Sequence, residues 1–143
     1  MTKSIIDECI GLRIRLLNRY LTAIYDDALR PLGMTTNQFN LMVALSRLGK
    51  TTAKKISQLM VMDASTVSRT LERMRKQGWV KATTGEDARS QDVILTEKGM
   101  ERLKRAYPVW RMVQNRAWRI LGKKSAAAIH EIGGSIWVKA RTD

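Results

Sequence analysis

Residues 63–74 read Asp63-Ala64-Ser65-Thr66-Val67-Ser68-Arg69-Thr70-Leu71-Glu72-Arg73-Met74. Val67, Leu71 and Met74 recur at the spacing of one helical face, so that side is apolar and the rest is open to polar work. Asp63 offers a carboxylate to the unpaired amides of a first turn, which makes it the N-cap of a helix running from Ala64 to Gln77. Gly78 stops that helix. Its opening turns carry Ala64, Ser65, Thr66, Ser68 and Arg69: small residues that permit close approach, short hydroxyls, and one planar cation.

On the N-terminal side, Thr52 to Met60 sets Ala53, Ile56, Leu59 and Met60 against Lys54, Lys55 and Gln58, the pattern of an amphipathic, basic helix. Val61 and Met62 form a brief break between the two helices. On the C-terminal side, Trp79–Ala82 and Asp92–Leu95 read as short strands separated by the polar loop Thr83–Gln91, hence a two-stranded hairpin. Two short helices across a tight break, followed at once by a hairpin with a charged tip, is the winged helix-turn-helix arrangement. The expected fold class is mainly α with a small β-hairpin wing (α+β).

Long helices flank this unit. From Ile6 to Leu29 the apolar residues Ile6, Ile10, Ile14, Leu17, Leu21, Ile24 and Ala28 keep the helical rhythm, and Pro31 and Gly33 end it. A second apolar row, Cys9, Leu12, Leu16 and Tyr20, widens the stripe beyond what one neighbour covers, so the extra face is expected to meet a partner chain. Phe39, Leu41, Met42, Leu45 and Leu48 predict a shorter helix capped at Thr35 or Thr36 and closed by Gly49. Thr96 caps a further helix, with Gly99 a tolerated cost inside it and a kink expected at Pro108. Leu103, Ala106, Trp110, Val113, Ala117 and Ile120 carry its face onward, and after Gly122 the stretch Ser125–Ala140 supplies a final amphipathic helix. The chain thus reads as one domain over residues 1–143, with terminal helices (1–33 and 97–143) around a central unit (34–96) whose wing spans 79–95.

The chain has 143 residues, 26 Lys and Arg against 13 Asp and Glu, a net charge of +13 and a pI of about 10.5. A polyanionic partner follows naturally. The excess is not concentrated on the central unit: residues 49–96 hold 9 Lys and Arg against 5 Asp and Glu, residues 97–143 hold 11 against 4. One cysteine, Cys9, excludes an intrachain disulfide, and with His130 as the only histidine no soft-metal site is expected. The N-terminus lacks a signal-peptide pattern, and no stretch approaches the ~18 apolar residues of a membrane span. A cytoplasmic protein, nucleoid-associated when DNA-bound, is expected. Without a Gly-rich phosphate loop or a clustered Ser/His/Asp set, neither an enzyme nor a cofactor is expected.

In a winged helix-turn-helix the second helix lies in the major groove of double-stranded DNA with its N-terminal residues at the base edges. Ser65, Thr66 and Ser68 suit bases or phosphates, Ala64 suits contact with a thymine methyl, and Arg69 suits the O6/N7 edge of guanine. For Ser65 and Thr66 the alternative is capping by first-turn hydroxyls, which needs no DNA. Arg73 and Lys76, farther along, read as phosphate clamps or solvated charges; Thr52, Lys54 and Lys55 are phosphate candidates because their helix crosses the backbone.

The run from Asp63 to Met74, then Gly78-Trp79-Val80, Asp87-Ala88-Arg89-Ser90 and Leu95-Thr96-Glu97-Lys98-Gly99, together with Leu29-Arg30-Pro31-Leu32-Gly33-Met34-Thr35, resembles the MarR family (multiple antibiotic resistance regulators) along the whole chain. The resemblance implies a homodimeric repressor or activator on a pseudo-palindromic operator, released by a small phenolic or other ligand or by thiol oxidation. It also implies that Asp87 orients Arg89, which enters the minor groove from the wing, with Ser90 beside them; a narrow minor groove does favour an inserted guanidinium. An aromatic or anionic effector would draw on Trp110 and Met42, or on Arg15 and Arg19. Cys9, on an apolar row beside Asp7 and Glu8, reads as a buried structural cysteine, with thiol-based sensing the alternative. A non-specific architectural nucleic-acid-binding protein is the other alternative.

Overall fold

The computed structural model describes residues 1–85 and 91–142. The rhythm from Ile6 to Leu29 predicts a single helix, but the chain forms two, α1 (Thr2–Glu8) and α2 (Ile10–Leu29). Cys9 between them is extended (φ −71°, ψ 106°) and its sulfur accepts the Leu12 amide at 3.4 Å, so it caps α2 as a hydroxyl would. Periodicity survives a one-residue break, which is why the sequence conceals it. Cys9 is consequently half-buried at a helix start, not enclosed in a core.

A 3-10 turn (Arg30–Leu32) built on Pro31 closes α2, and Gly33 takes the left-handed φ of 62° that follows it. Thr35 caps α3 (Thr36–Leu48) in a reciprocal box: its hydroxyl accepts the Gln38 amide while the Gln38 carboxamide accepts its own amide. Thr36 is used differently, donating its amide and hydroxyl to Asp26 of α2. Phe39, Leu41, Met42 and Leu45 of α3 are buried at the centre of the molecule.

Thr51–Thr52 form a short strand, β1, which the sequence reading left out; α4 (Ala53–Met60) follows with Thr52 as its cap. Val61 turns the chain in the left-handed region (φ 51°), and α5 (Ala64–Lys76) starts from Asp63 as expected. The hairpin is β2 (Val80–Thr84) with β3 (Gln91–Leu95), paired Val80↔Leu95 through Thr84↔Gln91. With β1 added on the other edge of β3, the sheet is three-stranded and antiparallel in the order β1-β3-β2.

Thr96 locks the hairpin to α6 (Glu97–Leu121): its hydroxyl donates to the Gly78 carbonyl at 2.6 Å and accepts the Gly99 amide at 3.0 Å. Gly99 is no mere tolerated cost. A Cβ there would sit 2.1 Å from the Trp79 carbonyl oxygen, so only glycine allows the first turn of α6 to approach the buried Trp79. The helix continues through Pro108, and after Gly122 the chain forms α7 (Lys123–Thr142). The core joins Leu29, Phe39, Met42, Ile56, Val67, Met74, Trp79 and Ala106, so α5 and the hairpin hang on the same apolar mass as α2, α3 and α6. Outside it, Ile6, Ile10, Ile14 and Leu16 of the first helices and Ile132 and Ile136 of α7 stay exposed. Among the described residues, no helix is long and apolar enough to cross a membrane.

Candidate nucleic-acid interface

The apolar face of α5 decides what the helix can show. Val67, Thr70, Leu71 and Met74 are buried, which turns Ala64, Ser65, Ser68, Arg69, Glu72 and Arg73 outward together. At the start of the helix the Asp63 carboxylate accepts the Thr66 amide at 3.0 Å, the Thr66 hydroxyl at 3.3 Å and the Ser65 hydroxyl. These bonds, the Ser65 hydroxyl first, hold Asp63 below the usual carboxylate range and keep it ionised. The capping reading of Ser65 and Thr66 is what the structure shows: both hydroxyls take part in the cap, with Ser65 exposed and Thr66 half-buried. Arg69 reaches back to the Thr66 hydroxyl at 3.4 Å and is otherwise exposed.

The C-terminal half of α5 is tied down separately. Arg75 clasps Glu72 through two bonds of 2.9 Å, which lower the Glu72 pKa and raise that of Arg75. Gln38 of α3 donates to Gln77 just past the end of α5 at 3.4 Å, and Arg73 borders a small polar cleft of about 190 Å³ shared with Asp26, Gln38 and Thr70. In α4, Lys54 and Lys55 are exposed, whereas the hydroxyl of the half-buried Thr52 already accepts the Lys55 amide at 3.1 Å. The wing is braced by Lys50, whose ammonium lies 3.3 Å from the carboxylate of Asp92, an ion pair not foreseen from the sequence. Asp87, Arg89 and Ser90 lie outside the described residues.

The four effector candidates are not brought together. Arg15 and Arg19 are exposed on α2, Met42 is fully buried in the core, and Trp110 faces a cavity of about 450 Å³. Phe39, Val43, Met60, Leu103 and Tyr107 share that cavity with Trp110, and Asn40 and Ser46 supply its polar atoms. The Phe39 and Trp110 rings stack at 6.3 Å, and the Arg111 guanidinium lies 6.0 Å from the Trp110 ring. Met60 was visible in the sequence only as one apolar residue of α4; the cavity is lined jointly by α3, α4 and α6, which no single element announces. Deeper along α6, Tyr25 of α2 donates to Gln114 at 2.5 Å, and burial raises its phenol above the ordinary value, so it stays a neutral donor.

Known proteins share this arrangement. A family model described as MarR family matches residues 32–90. The HTH-type transcriptional regulator YwoH of Bacillus subtilis is 34% identical over 73 residues, which is 51% of this chain and about half (53%) of that protein. The solved structure of the Mycobacterium tuberculosis transcriptional regulator MosR in complex with DNA is 33% identical, with a TM-score of 0.77 over 90% of this chain and 96% of that one. A probable transcriptional regulator from Pseudomonas aeruginosa shares the fold at a TM-score of 0.81 and 23% identity, over 92% of this chain and 98% of that one. The chain belongs to the MarR family of winged-helix transcriptional regulators.

Proposed function

We propose that this chain is a sequence-specific, DNA-binding transcriptional regulator that acts in the cytoplasm as a homodimeric repressor on a pseudo-palindromic operator. The observation that carries this reading is the outward face of α5: Ser65, Ser68, Arg69 and Arg73 stand exposed on a helix whose other side is locked in the core and whose N-terminus is capped. That presentation suits a major groove. Residues 34–96 form the DNA-binding region, with Lys54, Lys55 and Thr52 on phosphates, and residues 1–33 and 97–143 form the dimerisation region. The exposed Ile6, Ile10, Ile14 and Ile132 support the latter, since a concentration of exposed large apolar side chains on the terminal helices suits an interaction site.

A small molecule releases the operator. The cavity beside Trp110 supports this, and its lining of aromatic, aliphatic, amide and hydroxyl groups without a charged side chain favours an aromatic ligand over an anionic one. Cys9 has a capping role in α2, which argues against the thiol-sensing alternative.

The test is selection of bound sequences from random duplex DNA by wild type, Arg69→Ala and Arg73→Ala. Wild type should enrich a palindrome with half-sites about one turn apart. Arg69→Ala should relax preference at one position at a cost of ~1–3 kcal/mol, whereas Arg73→Ala should weaken all sequences alike. A wild-type pool without any palindrome would overturn the proposal.

A further inference from the structure

The charge of this chain is heaviest away from α5. Between Glu101 and Glu131 lie 29 residues with eight Lys and Arg and no carboxylate. Most of these belong to α6, which buries Ala106, Val113 and Ala117 on one side. On the other, Lys104, Arg105, Arg111, Arg116 and Arg119 are all exposed. At 3.6 residues per turn they fall within about 140° of one another, a single stripe roughly 22 Å long.

Among the described residues the stripe makes no ion pair. The ion pairs among the described residues join Arg30 to Asp27, Lys50 to Asp92 and Arg75 to Glu72, none of them on α6. Like charges three or four residues apart, such as Arg116 and Arg119, oppose helix formation, and only the last turn gains from the helix dipole. Arg111 alone has a second use, over the Tyr107 and Trp110 rings at 5.9 and 6.0 Å. Facing a second copy of this chain, the stripe would oppose its own charge. It is also a poor fit to a bilayer, because α6 buries Ala106, Val113 and Ala117 and the exposed stripe holds Met112 as its large apolar side chain among five cations. Four arginines of five favour phosphate, which the guanidinium grips through two parallel bonds.

The far half of the stripe is removed from the end of α6 that meets the hairpin. Gly99 pins the start of α6 to Trp79, and Arg116 and Arg119 lie about 25–30 Å farther along the helix, beyond the Gln114–Tyr25 bond that joins it to α2. We infer that the Lys104–Arg119 face of α6 is a second, sequence-indifferent DNA surface, which lets one assembly hold a further DNA segment besides the one against α5. The choice of DNA as the polyanion rests on the proposed function.

The experiment immobilises a duplex carrying the sequence selected by the wild-type protein, then adds protein and a labelled duplex of random sequence. Wild type should capture the labelled duplex. The variant Lys104→Ala/Arg105→Ala/Arg116→Ala/Arg119→Ala removes exposed charge and none of the apolar residues offered for dimerisation, so it should keep the wild-type mass in solution, the immobilised duplex and the melting curve while losing second-duplex capture by about tenfold or more, with a shallower salt dependence. Compaction of a single long DNA, measured alongside, separates a distant segment of the same molecule from a second molecule; loss of either in the variant supports the surface. Unchanged capture and compaction in the variant would overturn it, as would their absence in wild type or stripe-dependent binding to anionic vesicles alone. If wild type holds the first duplex but neither captures a second nor compacts long DNA, only this inference falls; if it does not hold the first duplex either, the reading of α5 falls as well.

Discussion

The carboxylate of Asp26 holds Thr36 twice, its Oδ1 accepting both the backbone amide and the hydroxyl at 2.7 Å. Asp26 lies near the end of α2 and Thr36 opens α3, so the pair fastens the long helix to the one that packs behind α5. Thr35 and Gln38 complete the cap one step away, and Gln38 passes the connection to Gln77 beyond α5.

Asp26→Ala should therefore cost ~1–3 kcal/mol, because two donors lose a charged acceptor at once. Thr36→Val should cost less, since it spares the amide. Urea denaturation of both single variants and the double variant measures the coupling. Additive effects would mean that the bond contributes nothing of its own.

Gly99→Ala should destabilise by more than ~2 kcal/mol, although alanine is the better helix former by about 1 kcal/mol. The built Cβ meets the Trp79 carbonyl at 2.1 Å and Leu95 at 3.1 Å, and Thr96 prevents the helix from backing away. A melting midpoint at or above that of wild type would contradict this packing.

The cap on α5 should make stability depend on pH. Because Asp63 is held below the usual carboxylate range by Ser65 and Thr66, the unfolded chain binds its proton more readily than the folded one. Its contribution is fully present above the ordinary carboxylate range and is lost as pH falls through the depressed folded value. Asp63→Ala should melt below wild type at neutral pH, and the gap should close on acidification. A gap that stays constant down to about pH 3 would remove the carboxylate from the account.

Val61 is a β-branched residue at φ 51°, 70% exposed, with little burial to lose. Val61→Gly should raise stability by about 1 kcal/mol, as release of the left-handed strain outweighs the added freedom of the unfolded chain. Thermal melts decide it, and a lower midpoint would show that Val61 packs to advantage in the turn.

What could be read from the sequence was what is decided locally. Asp63 capping α5, the break at Val61 and Met62, and the apolar faces of α3 and α6 each follow from a few neighbouring residues. The features that escaped are settled by distant partners. Thr51 and Thr52 are too few to show alternation and become a strand only because Val93 and Asp92 lie opposite. Gly99 looks like a helix defect until the Trp79 carbonyl arrives against it. Met42 and Met60 are alike in sequence, yet one is sealed in the core and the other lines a cavity, a difference set by which helices pack around each. Cys9 hid a helix break because one residue out of register leaves the pattern intact.

The two threonines of β1 have one more consequence. Thr52 is at once the partner of Asp92 in the sheet and the cap of α4, so the residue that starts α4 is itself fastened to β3. Helix start and hairpin are in effect the two jaws of a calliper whose setting was fixed at folding. Any surface that meets both must suit that fixed relation, and a shift of either jaw carries the other with it.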